Sequence, residues 1–116
     1  MTALEQVSSE KGRAAASMDI AGKRLRLFSG APSEAPWGLY LAETMRQRFA
    51  VELVFTSCLT TAEKRAFEDG YNAEVICHID SAFGAGAYSL AREDVQRWRK
   101  AKYDEALAAN RPGGSV

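Results

Sequence analysis

Apolar and polar positions follow two different periods along this chain, and the switches between them predict its elements. Residues 23–28, Lys-Arg-Leu-Arg-Leu-Phe, alternate basic with apolar side chains, the period of two expected of a strand with one wet face at a sheet edge. Ser29-Gly30-Ala31-Pro32 breaks it. A helix is then expected from about residue 34 to 48, with Ser33 as N-cap and Pro36 in the first turn. Trp37, Leu41, Met45 and Phe49 recur every fourth residue as one apolar stripe of that helix. Residues 51–56 are almost continuously apolar, with β-branched and aromatic members, which predicts a second, more buried strand. Thr60-Thr61-Ala62-Glu63 reads as a capping box, Thr60 at the N-cap and Glu63 at N3. The helix it opens carries Ala66, Phe67, Gly70 and Tyr71 on one side and is expected to stop between Gly70 and Asn72. Residues 74–79, Glu-Val-Ile-Cys-His-Ile, then predict a third strand, and residues 81–87, with Gly84 and Gly86, a flexible loop. The last helix is expected from about residue 91 to 110. Ala91, Val95, Trp98, Ala106 and Ala109 share a face that Lys102 interrupts, and Asn110, Pro112 and Gly113 end it.

The expected order is β-α-β-α-β-α: an α/β (or α+β) fold, with a small three-stranded sheet and helices on one or both faces. Residues 1–22 are small and polar and predict a loosely ordered N-terminal arm, although Leu4 and Val7 are spaced for one helical face. Met18 within that arm is an alternative start that would make it dispensable. Residues 23–110 form the single compact domain, and residues 111–116, Arg-Pro-Gly-Gly-Ser-Val, a disordered tail. So small a core leaves room for a homodimer formed through an uncovered face or edge.

Composition narrows the classes. With 47% hydrophobic and 26% charged residues in 116, the chain is neither intrinsically disordered, nor collagen-like, nor a coiled-coil rod. Fifteen basic residues balance fifteen acidic ones, which argues against a nucleic-acid binder that works by overall charge. Two cysteines, Cys58 and Cys77, are too few for a disulfide-stapled secreted domain and are expected to be buried free thiols. No segment is apolar enough to span a bilayer, and residues 1–18 lack the apolar run of a signal peptide, so a soluble, cytoplasmic protein without membrane contact is expected.

Three constellations could carry chemistry. Ligands of parallel α/β sheets bind beyond the carboxyl ends of strands. There the chain offers Cys58, and His78 with Asp80, which would point to one side of a third strand. An imidazole can deprotonate a thiol while a carboxylate orients the ring, so Cys58, His78 and Asp80 define a small cysteine-dependent enzyme as one alternative. Ser29-Gly30-Ala31-Pro32 and Ala82-Phe83-Gly84-Ala85-Gly86 each lie between elements as phosphate cradles would, yet neither matches a dinucleotide or lysine-bearing phosphate loop. The spacing of two cysteines and one histidine makes no closed zinc set, and no metal or cofactor is expected. The third constellation is the polar side of the last helix. Arg92, Gln96, Arg99 and Tyr103 fall along one stripe flanked by Lys100 and Lys102, with Tyr88 just ahead of it. Arginine and tyrosine together can grip phosphate and stack on bases. Lys23, Arg24 and Arg26 form a smaller basic cluster. Glu93, Asp94, Asp104 and Glu105 share the last helix, which also fits a solvated face of internal ion pairs.

Residues 65–73, Arg-Ala-Phe-Glu-Asp-Gly-Tyr-Asn-Ala, then Ala87-Tyr88-Ser89, Trp98 and Tyr103-Asp104-Glu105-Ala106, carry a resemblance. Over about residues 62–110 the chain resembles the ribosome modulation factor group, many of whose members are short proteins of phages and mobile elements. Their pattern is a helix with a Gly-aromatic-x-Ala element, a Pro-Tyr turn and a second helix with paired tryptophans. Here Ala87 stands at the turn proline and Tyr103, one position displaced, at the second tryptophan; the strong basicity of the group is missing. The resemblance implies phage-like or mobile-element ancestry, with RNA or ribosome binding as the alternative function; the small size, the mixed-charge aromatic helix and the want of a convincing catalytic set point instead to modulation of a host machine that handles nucleic acid.

The leading expectation is a non-enzymatic interaction protein that binds a protein or ribonucleoprotein partner through Tyr88, Arg92, Gln96, Arg99, Lys102 and Tyr103.

Overall fold

The computed structural model describes residues 1–31, 33, 35–56 and 61–110. Its elements in chain order are α1 (Ala3–Ala21), β1 (Arg26–Ser29), α2 (Pro36–Phe49), β2 (Glu52–Phe55), α3 (Ala62–Phe83) and α4 (Ala87–Ala109). The fold is mostly helical. Among the described residues its one sheet has two strands, and β1 and β2 pair in parallel with Arg26 opposite Glu52 and Ser29 opposite Phe55.

The β1-α2-β2 unit follows the sequence pattern. Pro36 occupies the first turn of α2, and Leu41, Met45 and Phe49 of its apolar stripe are buried with Trp37 packed against them. The N-cap is Ala35 rather than Ser33, and it gives no side-chain bond. Ala50 ends α2 in the left-handed region, at φ 54°, and its N–H closes onto Arg46 and Met45 carbonyls. Burial of the two strands is the reverse of expectation: β1 holds the buried Leu27, while no residue of β2 is fully buried.

The third strand does not form. Residues 74–79 are the middle of α3, which runs unbroken for 22 residues, so the β-α-β-α-β-α order is corrected to α-β-α-β-α-α. The β-branched residues that suggested a strand lie on a helical seam instead. Tyr71, Val75 and Ile79 are four apart and essentially fully buried. Thr61, not Thr60, is the N-cap, accepting from Lys64 N–H; N3 is then Lys64, whose ammonium cannot accept, and Glu63 falls at N2, so only the threonine half of the expected box stands. Residues 81–83 belong to the same helix, and Gly84 and Gly86, both at positive φ, turn the chain into α4.

The expected loose arm is α1, a 19-residue helix. It lies alongside α3 in the same direction: Met1 and Glu5 share a hollow with Ala62 and Arg65, and Ser17 and Ile20 one with Glu74 and Ser81. The helices touch through glycines. A Cβ on Gly12 would stand 2.0 Å from the Phe67 carbonyl oxygen, and one on Gly70 2.2 Å from the Ser9 carbonyl oxygen. Gly70 is therefore a contact residue and not a helix terminator.

Two polar devices fasten the strands to this pair. Asn72 donates through Nδ2 to the Phe28 carbonyl and accepts through Oδ1 from the Phe28 N–H, each at 2.8 Å. Its amide does for the β1 edge what a third strand would have done. Asp19 Oδ2 accepts from the Tyr71 hydroxyl and from Arg26 Nη2 (2.8 Å), tying α1, α3 and β1 together. The Tyr71 hydrogen bond, and after it that of Arg26, holds the Asp19 carboxyl below its ordinary range. Burial, and then the bond to Asp19, pushes the Tyr71 hydroxyl up. No helix among the described residues is long and apolar enough to cross a membrane.

Candidate functional site

Cys58 lies outside the described residues, as do the Pro32 end of the first candidate phosphate cradle and the tail from residue 111. His78 and Asp80 sit on α3 and not at a strand end, so the geometry that aligned them is absent: two residues on a helix diverge by about 200°. Asp80 has another task. Its Oδ1 accepts from the Tyr88 N–H at 3.0 Å, capping the first turn of α4, where Gly86 has no side chain to do so. Cys77 is free, and exposed instead of buried. Among the described residues no group of three His, Cys, Asp or Glu is placed to hold a metal ion.

The stripe on α4 is only partly one surface. Gln96, Arg99 and Tyr103, with Lys100, line a shallow hollow of about 310 Å³. Tyr88 packs half-buried against the core two turns away, and Arg92 lies between. Lys102 continues the line of the buried Ala91 and Val95 and the half-buried Trp98 beyond the point where the core ends. From residue 99 onward every position of α4 is exposed, Ala106 and Ala109 included, so this end of the helix projects by about 16 Å. The radius of gyration, 17.2 Å, agrees with projecting elements, since a compact chain of this length has about 13 Å.

Where α4 leaves the body, α2 supplies residues that the stripe did not include. The Trp37 ring lies under the Arg99 guanidinium, 4.3 Å from centroid to Cζ. The Tyr40 and Trp98 rings stack at 4.4 Å and 4°, and the Lys102 ammonium stands 5.9 Å over Trp98. Arg48 of α2 pairs with Asp94 of α4 at 2.6 Å and so fixes the crossing of the two helices just before the ladder. The stacked pair is worth about 0.5–1.5 kcal/mol beyond area burial and an exposed cation over a ring about 0.5–1 kcal/mol, enough to hold these side chains in place before a partner arrives. Trp37 and Tyr40 are three apart on α2, a spacing that a reader of the sequence can place on one helix face, but not opposite α4.

The charges of α4 are largely spent internally. Arg97 and Arg48 share Asp94, Lys100 pairs with Asp104 at 2.9 Å, and Lys102 with Glu105 at 3.4 Å. Asp104 beside it raises the Lys100 ammonium above its ordinary range. Arg26 of the smaller basic cluster is bound to Asp19 and Tyr71.

Of the residues that carry the family resemblance, those of α3 and of the turn into α4 act structurally in this chain, while Trp98 and Tyr103 lie on the α4 surface described above. Gly70 meets α1, Tyr71 holds Asp19, Asn72 closes β1, and Ala87-Tyr88 opens α4 directly after the turn. No family model matches the chain, and no match is found among curated proteins or solved structures.

Proposed function

We propose that this chain is a non-enzymatic docking protein, and that it binds a protein partner, one belonging to a host machine that handles nucleic acid, with the α2–α4 ladder and the projecting end of α4. One observation carries the reading: Trp37, Tyr40, Trp98, Arg99 and Tyr103 gather where α4 leaves the body, with Tyr103 63% exposed and Leu107 53% exposed one turn further on. Trp, Tyr and Arg are the residue types that dominate binding energy at protein interfaces, and rings already stacked lose little freedom on binding. The paired charges favour a protein partner over RNA. A phosphate-binding face needs cations free to replace counterions, and α4 sets four anions against five cations.

The test is capture from host lysate by the wild-type chain and by an Arg99→Ala, Tyr103→Ala double variant, across a salt series. A discrete protein retained by wild type, lost by the variant and only weakly sensitive to salt is the expected result. A partner retained equally by the variant overturns the site. RNA captured with a steep salt dependence overturns the partner class and favours the ribosome-binding alternative.

A further inference from the structure

We infer that the outer edge of β2 is a self-association site, where β2 of a second copy of this chain pairs antiparallel about a twofold axis and extends two strands to four. The two edges of the sheet are finished differently. Asn72 closes the β1 edge with its paired 2.8 Å bonds. On β2, the Glu52 and Thr56 N–H groups turn toward β1, donating to the Leu25 and Ser29 carbonyls at 3.0 and 2.8 Å. The intervening residues, Leu53 and Phe55, therefore direct their N–H and C=O outward. Among the described residues nothing pairs with them. A groove of about 730 Å³ opens at the start of this edge, where residues 50–53 meet the side of α2 that faces neither the core nor α4. Its floor is apolar, with Ala42, Val51 and Leu53, and its wall bears Leu39, which is 56% exposed.

A second copy is the occupant these features select. The outward groups belong to an extended backbone, and another extended backbone satisfies them. β2 provides one, and brings its own Leu39 and Ala42 to cover the same residues across the axis, as an isologous interface requires. The rim mixes signs, Glu43 and Glu52 with Arg46, and the formal net charge is zero, so two copies approach without a single-sign field between them. With Val54 on the axis, Leu53 of each copy faces Phe55 of the other and four N–H···O=C bonds form. Two strands alone are a marginal sheet; four with helices on a face are not.

The experiment is sedimentation equilibrium of the full chain from dilute to concentrated solution, with amide hydrogen exchange read by NMR at both extremes. A dimer is expected, with the Leu53 and Phe55 amides slowing on dimerisation while those of Glu52 and Thr56 are slow in both states. A Leu39→Lys, Ala42→Lys variant alters the groove wall and floor without touching the ladder. It should keep the circular dichroism of wild type and weaken the dimer by about a hundredfold, because like charges then oppose across the axis. A monomer at every concentration overturns the inference. So does a dimer in which the Leu53 and Phe55 amides exchange as fast as in dilute solution.

Discussion

Replacing Gly12 or Gly70 by alanine sets two effects of opposite sign against each other. In an exposed helix interior the change stabilises by about 1 kcal/mol, because alanine is the better helix former. Here the new methyl carbon at position 12 would lie 2.0 Å from the Phe67 carbonyl oxygen, 2.9 Å from its carbon and 3.0 Å from the Tyr71 nitrogen. At position 70 it would lie 2.2 Å from the Ser9 carbonyl oxygen. A carbon–oxygen contact needs about 3.3 Å, so α1 and α3 must part by about 1 Å. The obstacle is backbone, which cannot swing aside as a side chain would. Overpacking of this kind costs about 3 kcal/mol at the upper end of its usual range. After the propensity gain, each variant should lose about 2 kcal/mol, a fall of about 1 M in the urea midpoint. The double variant should lose less than the sum, since one separation relieves both clashes. Arg13→Ala, exposed on α1 and lining neither hollow between the helices, should stay within about 0.5 kcal/mol of wild type. If both glycine variants are instead more stable by about 1 kcal/mol, α1 does not rest on α3 in solution and the reasoning fails.

Asn72→Ala should cost about 1–3 kcal/mol in urea unfolding, because the Phe28 N–H and C=O lose their partner; an unchanged midpoint would mean that water replaces the amide without cost. Tyr71→Phe keeps the ring and removes the hydroxyl that donates to Asp19. The Asp19 carboxyl is lowered in the folded chain, so its contribution is whole above the unfolded carboxylate range near pH 3.9 and is lost as pH falls through the folded value. The Tyr71 hydroxyl is raised, so its contribution is whole below about pH 10 and fades above it. Thermal unfolding against pH should therefore show both limbs shallower in Tyr71→Phe than in wild type, and identical limbs would refute the link. Ala50→Gly should raise the unfolding free energy by about 0.5–1 kcal/mol, since glycine meets no Cβ penalty at φ 54°; a loss of stability would show that the Ala50 methyl matters more than its backbone.

The parts legible in the sequence are those whose local pattern and tertiary role coincide. Residues 23–56 pass from a period of two to a period of four and then to a short apolar run, and they fold as β1-α2-β2. Residues 74–79 misled because Val75, Ile76 and Ile79 satisfy a strand pattern and a helical seam alike, and Gly70 ahead of them reads as a stop. What decides the matter is Ser9, 61 positions earlier, whose carbonyl needs a neighbour without a Cβ. The same long-range fact explains α1. Leu4, Val7 and Met18 stay exposed, so no large apolar stripe marks its buried face; Gly12 and Ala16 do, being the sizes that close helix contact demands. The α4 stripe was visible as a helix face, whereas the aromatic half of the ladder, Trp37 and Tyr40, belongs to α2 and becomes part of the surface only through the crossing fixed by Arg48 and Asp94.

That the exposed end of α4 meets a protein partner is tested most directly by photo-crosslinking in host lysate. One chain carries a photoreactive residue in place of Tyr103 and another in place of Ser17, on the far helix. A single discrete protein adduct from position 103, absent from position 17, is the predicted result. Adducts to RNA at 103, or the same adducts at both positions, would contradict it.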